Sequence, residues 1–276
     1  MIRNTTPARR KPRHAYLLAV PFVVSLLVLA GCQAPATTAA RTGTDAVLWT
    51  QQAAEHDALF KAVYASATAR LDEAVAESQQ RGSGKPPAVV LDVDETMLDN
   101  TPYQAWLIKR GQSYDRETWD AWCQKSEAEP LPGAASFLAA ARASGVEVFY
   151  VTNRDVSVKD ATYRNLKRVA DPAVTSDRVL FRGERGWTGE KGSRWAFIEQ
   201  THDIVMMLGD NLGDFYSEVN VSPAERDAMV ENARGMWGHT WFVLPNPMYG
   251  SWERTAVEGD GDARAANKIE TLRAYD

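Results

Sequence analysis

The chain has 276 residues, 31 basic against 36 acidic, and a formal net charge of −5. An acidic chain of this kind lacks the basic footprint by which proteins hold nucleic acid polymers. It holds two cysteines and four histidines. Once Cys32 is used as read below, Cys123 has no partner within the chain, which excludes a disulfide framework and a cysteine-based metal site. His14, His56, His202 and His239 show no paired metal spacing and read as ordinary surface or core residues.

Taken in chain order, Arg3, Arg9, Arg10, Lys11 and Arg13 form a positive segment without acidic residues. The apolar run Ala15 to Ala30 follows, shorter than the roughly 18–20 residues of a membrane-spanning helix. This is the pattern of a secretory leader, with an uncleaved N-terminal anchor as the alternative. It ends in Leu29-Ala30-Gly31-Cys32, which resembles a lipoprotein processing site and implies removal of residues 1–31 and lipidation of Cys32. Because the leader holds five basic and no acidic residues, the mature chain carries a charge of about −10. Gln33 after the cysteine resembles outer-membrane sorting, so the expected location is the cell envelope, anchored through lipid. Residues 32–44, rich in Ala, Thr and Pro, read as a flexible tether, and residues 45–276 as one domain.

Ala46 to Gln80 reads as one helix, with Phe60, Val63, Tyr64, Ala67, Leu71, Ala74 and Val75 at helical spacing. Gly82, Gly84, Pro86 and Pro87 end it. Strands are expected at about 88–92, 146–151, 178–181, 204–208 and 240–244, alternating with helical stretches. That alternation argues for a three-layer α/β fold with a parallel sheet covered on both faces. The long first helix could serve as a core helix or as the surface of a homodimer.

Three of these strands stop at residues able to do chemistry. Val89-Val90-Leu91-Asp92-Val93-Asp94-Glu95-Thr96 is an apolar run ending in two aspartates. An unpaired carboxylate is costly to bury, so such a run presents Asp92 rather than hiding it. One aspartate could attack and hold a metal while the other handles a proton, a division that suits phosphoryl transfer. Asp-x-Asp also marks turns and helix caps. A calcium loop would need Gly and Glu where this chain has Met97 and Tyr103. The second strand ends at Thr152-Asn153-Arg154, where a hydroxyl and an amide can donate to phosphate oxygens. Gly209-Asp210-Asn211-Leu212-Gly213-Asp214 ends the fourth, and its glycines permit close backbone approach. Lys191, with Arg194 three residues on, precedes the helix leading to that strand. Between the first two strands, residues 101–130 hold Tyr103, Trp106, Tyr114, Trp119 and Trp122. Most of these aromatics read as core, and Cys123 as a buried small residue among them.

The order Asp92-x-Asp94-x-Thr96, Thr152, Lys191, Gly209-Asp210-x-x-x-Asp214 resembles the haloacid-dehalogenase superfamily of phosphatases. With Leu244-Pro245-Asn246-Pro247-Met248-Tyr249-Gly250, the chain is more closely similar to the bacterial class C acid phosphatases, lipoproteins of the 5'-nucleotidase type. The resemblance covers about residues 47–276, and the loop Gly183 to Gly189 departs from it. It implies a Rossmann-like sheet with a small helical cap at about 101–130 and hydrolysis of phosphomonoesters, nucleoside 5'-monophosphates among them. It further implies Mg²⁺ held by the Asp92 carboxylate, the Asp94 main-chain carbonyl, Asp210 and Asp214, the last directly or through water. Asp92 would be the nucleophile, and Asp94 the acid and base, its pKa raised relative to Asp92. Thr152, Asn153 and Lys191 would bind phosphate, and Trp119 and Tyr249 would flank the substrate ring. An alternative on the same fold is a surface lipoprotein that mainly binds heme or a partner protein.

Overall fold

The structure is a computed structural model and describes residues 43–275. The leader, Cys32 and residues 33–42 of the tether lie outside the described residues. Among the described residues there are seven strands: β1 Pro87–Leu91, β2 Leu98–Asp99, β3 Glu129–Pro130, β4 Glu147–Asp155, β5 Val179–Arg182, β6 Asp203–Gly209 and β7 Trp241–Val243. Five form a sheet in the order β5-β4-β1-β6-β7, and every pairing in it is parallel.

The strand sequences explain the layers. In β1, Val89 and Leu91 point to the larger core cluster with Phe60, Tyr64, Leu71, Phe137 and Tyr150. Ala88 and Val90 point the other way, toward Phe149, Leu180, Ile198 and Phe215. A strand buried on both faces needs apolar residues at every position, which is why it reads as a continuous run and not an alternation. Helices Ala54–Arg81 and Ala134–Ala143 cover the first face, and Gly192–Glu199 lies on the second.

The long helix expected over residues 46–80 is two helices, Thr44–Gln52 and Ala54–Arg81, broken at Ala53, whose backbone is extended at φ −80° and ψ 124°. The buried positions show the reason. From His56 they run Phe60, Tyr64, Ala67, Leu71, Ala74 and Ser78, a regular three-to-four spacing. Val47 and Thr50 fall out of that phase. The first helix packs on Thr101–Arg110 and the second on Ala134–Ala143, so one straight helix could not satisfy both. Gly82, at φ 69°, closes the second helix in the left-handed conformation that glycine adopts without cost.

The insertion after β1 holds helices Thr101–Arg110 and Arg116–Lys125. β2 and β3, which pair antiparallel, stand on either side of these helices in the chain. The chain runs outward from β1 to β4 and β5, then returns to β6 and β7 on the other side. Where strand order reverses, the loops at the carboxyl ends part and leave a crevice. That crevice lies beside β1.

Candidate active site

Asp92 directly follows β1, and its N–H donates to the Leu208 carbonyl of β6 at 3.0 Å. The chain then turns tightly, Met97 and Leu98 both donating to the Val93 carbonyl at 2.9 Å. Tyr64 of the long helix donates its hydroxyl to the Thr96 carbonyl at 2.6 Å, pinning this turn from beneath. Glu95 sits at φ 55°, a left-handed conformation uncommon for a side-chain-bearing residue.

Lys191 stands at the start of helix Gly192–Glu199, and its Nζ donates to Asp92 Oδ1 and, at 2.6 Å, to Asp214 Oδ1. All three side chains are buried. Burial alone would lower the lysine pKa, but the carboxylates of Asp214 and Asp92 outweigh it and raise it, so Lys191 stays charged. Asp210 accepts from Asn246 Nδ2 at 2.8 Å, and Asp214 accepts from the Asn211 N–H at 2.8 Å. Asp92, Asp210 and Asp214 each offer an oxygen, all within 4.8 Å of one another.

Desolvation, reinforced by Asp214 and Asp94, pushes the Asp92 carboxyl up to about 7 against the pull of Lys191. Asp210 is likewise raised well above the usual carboxylate range, first by burial and then by Asp214 and Asp92. One lysine does not neutralise this crowd. Three carboxylate oxygens this close together, short of positive charge, could hold a divalent metal ion.

Asp94 faces the guanidinium of Arg154, with Oδ1 2.7 Å from Nη2. Asn100 Nδ2 donates to the same Oδ1 at 2.9 Å.

β4 runs on to Asp155, past its expected end at residue 151, with an irregularity between Thr152 and Asp155. Thr152 and Asn153 therefore lie within the strand. Thr152 is buried and its Oγ1 accepts from the Arg154 N–H at 3.0 Å. Asn153 is exposed, and its Oδ1 accepts from Arg194 Nη2 at 2.8 Å, which leaves its amide N–H groups to donate elsewhere. Trp119 is half-buried, edge-on to Tyr103 with ring centroids 5.1 Å apart, and the Arg154 guanidinium lies 5.7 Å from its ring centre. Tyr249 is also half-buried, its hydroxyl donating to Glu95 Oε2.

Several residues here received no role from the sequence. Glu95 is buried, takes the Asn100 N–H at 2.9 Å, and is raised well above the usual range by desolvation and then by Asp94 and Asp210. Arg154 and Arg194 are both fully buried. Arg194 donates to the Thr152 carbonyl at 2.5 Å as well as to Asn153, so it braces the strand end from behind. The one signal available was a guanidinium amid apolar strand and helix residues. Its partners, far away in sequence, were not readable.

Residues 15–252 match the family described as HAD superfamily, subfamily IIIB (acid phosphatase). Acid phosphatase 1 of Solanum lycopersicum is 24% identical over 179 residues, and the chain spans 63% of that relative's length. The class C acid phosphatase of Bacillus anthracis is 37% identical, with a TM-score of 0.79 over 87% of this chain and 100% of that one. A structure of that phosphatase with tungstate bound matches equally in fold, at 36% identity.

Proposed function

We propose, for a chain that belongs to the acid phosphatases of HAD subfamily IIIB, that it hydrolyses phosphomonoesters through a phosphoryl group carried on Asp92. The observation that carries this reading is Asp92 at the end of the central strand, bonded to Lys191 and grouped with Asp210 and Asp214. Tungstate is a tetrahedral oxyanion of phosphate's shape, and its presence in the Bacillus anthracis relative supports a phosphate-sized site here.

In the first half-reaction the Asp92 carboxylate attacks phosphorus, the bond from phosphorus to the leaving oxygen breaks, and Asp94 gives that oxygen a proton. In the second, water attacks the aspartyl phosphate. Asp94 takes back the water's proton, and the bond to Asp92 breaks to release inorganic phosphate. Lys191, Thr152 and Asn153 meet the charge on the phosphoryl oxygens. Asp92, Asp210, Asp214 and the Asp94 carbonyl would hold Mg²⁺, which when bound supplies positive charge against the phosphoryl oxygens.

Nucleoside 5'-monophosphates are the proposed substrates. Trp119 and Tyr249 are large flat side chains that could receive a base, and base–aromatic stacking contributes ~1–3 kcal/mol. The processing-site pattern at Cys32 extends the proposal to a lipid-anchored enzyme of the cell envelope.

The test is phosphate release from p-nitrophenyl phosphate and from AMP, with Mg²⁺ and then with EDTA. Turnover is expected with metal, a loss on chelation that added Mg²⁺ reverses, and none in Asp92→Asn. Near-normal turnover by Asp92→Asn would overturn the covalent route.

A further inference from the structure

Arg154 is a whole guanidinium buried at 1% exposure, and every arm of it is used. Nε lies 2.9 Å from Asp94 Oδ1 and 3.2 Å from Oδ2, and Nη2 lies 2.7 Å from Oδ1. Nη2 also donates to Asn100 Oδ1 at 3.3 Å, and Nη1 donates to Thr162 Oγ1 at 3.1 Å. Asn100 is itself fully buried and donates to Asp94 Oδ1 at 2.9 Å.

The two oxygens of Asp94 are therefore unequal. Oδ1 accepts three bonds, from Nε, Nη2 and Asn100, while Oδ2 has one longer contact. A carboxylate oxygen with its lone pairs committed is a poor place for a proton. The same hub reaches the insertion over the site. Trp122 Nε1 donates to Asn100 Oδ1 at 2.8 Å, and the Arg154 guanidinium faces Trp119 at 5.7 Å. Both tryptophans lie on helix Arg116–Lys125.

We infer that Arg154, with Asn100, is a positioning residue that fixes the Asp94 carboxyl so that Oδ2 is the oxygen exchanging the proton with the leaving group, and ties that carboxyl to the tryptophan helix above the site. The inference rests on the phosphatase reading. It goes beyond it by assigning the proton to one oxygen and naming what aims it. A planar fork anchored at Thr162 and Asn100 fixes direction as well as charge, which the point charge of a lysine does not. A purely structural arginine would need only a counter-charge, and its removal would harm all substrates alike.

The experiment compares Arg154→Lys and Asn100→Ser on p-nitrophenyl phosphate, whose phenolate leaves without help, and on glycerol phosphate, whose alkoxide needs a proton. Proton transfer contributes typically 10²–10⁴-fold, so kcat/KM for glycerol phosphate, which reports only the first half-reaction, is expected to fall about 10²-fold in Arg154→Lys. The expected fall in kcat/KM on p-nitrophenyl phosphate is a few-fold. Asn100→Ser should show the same selectivity, more weakly. In Arg154→Ala, added guanidinium should restore turnover of glycerol phosphate preferentially. Equal losses on both substrates, or undiminished turnover of glycerol phosphate, would overturn the inference. If Arg154→Lys does not fold by its melting curve, Asn100→Ser decides with the same readout. Asp94→Asn separates the two levels. If it shows the leaving-group selectivity and the hub variants do not, the hub inference fails and the phosphatase reading stands. If Asp94→Asn shows no selectivity, the acid–base reading itself fails.

Discussion

Cys123 shows how one environment settles the chemistry of a residue. It lies 2% exposed behind the tryptophans of helix Arg116–Lys125, and burial pushes its thiol up to about 12. The reactive species is the thiolate, and at pH 8 roughly one thiol in 10⁴ would be ionised at that value. In a chain beginning at residue 43, Cys123 is the single cysteine. Iodoacetamide is expected to leave the native form unmodified over hours at pH 8 and to label it promptly in urea. The native rate should rise as pH rises toward the raised value, yet remain far below that of an exposed thiol at pH 9. Mass spectrometry reads both, and rapid native labelling at pH 8 would contradict the burial.

At the scale of elements, the site depends on how closely β6 approaches the loop after it. A Cβ on Gly209, the last residue of β6, would fall 2.3 Å from Asp214 Cβ and 2.3 Å from its Oδ2. No side chain occupies such space without moving the other, and Asp214 is the group that moves, since Gly209 is fixed in the sheet. Gly209→Ala should therefore displace Asp214 from Lys191 and from Asp210. A misplacement of about 1 Å can cost ~10²-fold in rate. A loss of that order is expected in kcat/KM, with a higher Mg²⁺ concentration needed for half-maximal turnover. Circular dichroism should show the sheet retained. An alanine variant as active as the parent at low Mg²⁺ would show that Asp214 is not needed where it stands.

At the scale of the molecule, the sheet, its covering helices and the insertion all fall within residues 43–275. Both faces of the sheet are covered by helices drawn from that span. A chain starting at residue 43 is thus expected to fold, to melt cooperatively and to hydrolyse p-nitrophenyl phosphate with an unchanged kcat. In the full chain, Cys32→Ser should abolish labelling by radioactive palmitate and leave the leader uncleaved, read as a larger band on a gel, with kcat again unchanged. Palmitate incorporation that persists in Cys32→Ser would place the lipid elsewhere.

The sequence by itself determined the parallel sheet and which strand ends carry carboxylates. Strands buried on both faces leave uninterrupted apolar runs, and such runs ending at Asp92 and at Gly209-Asp210 are legible without coordinates. The order of the segments singled out Lys191, just ahead of the helix that leads into β6. Helix phase was legible as well, but the break at Ala53 was not, because it follows from the different partners of the two halves. Only the tertiary structure decided the partners of Arg154, Arg194 and Glu95. Asp94 and Arg154 are separated by 60 positions, and Tyr249 and Glu95 by 154. Hydrogen bonds across such distances have no period in the sequence. They exist because the reversal of strand order beside β1 brings the ends of β1, β4 and β6 to one crevice, where a buried charge must find whatever partner the fold supplies.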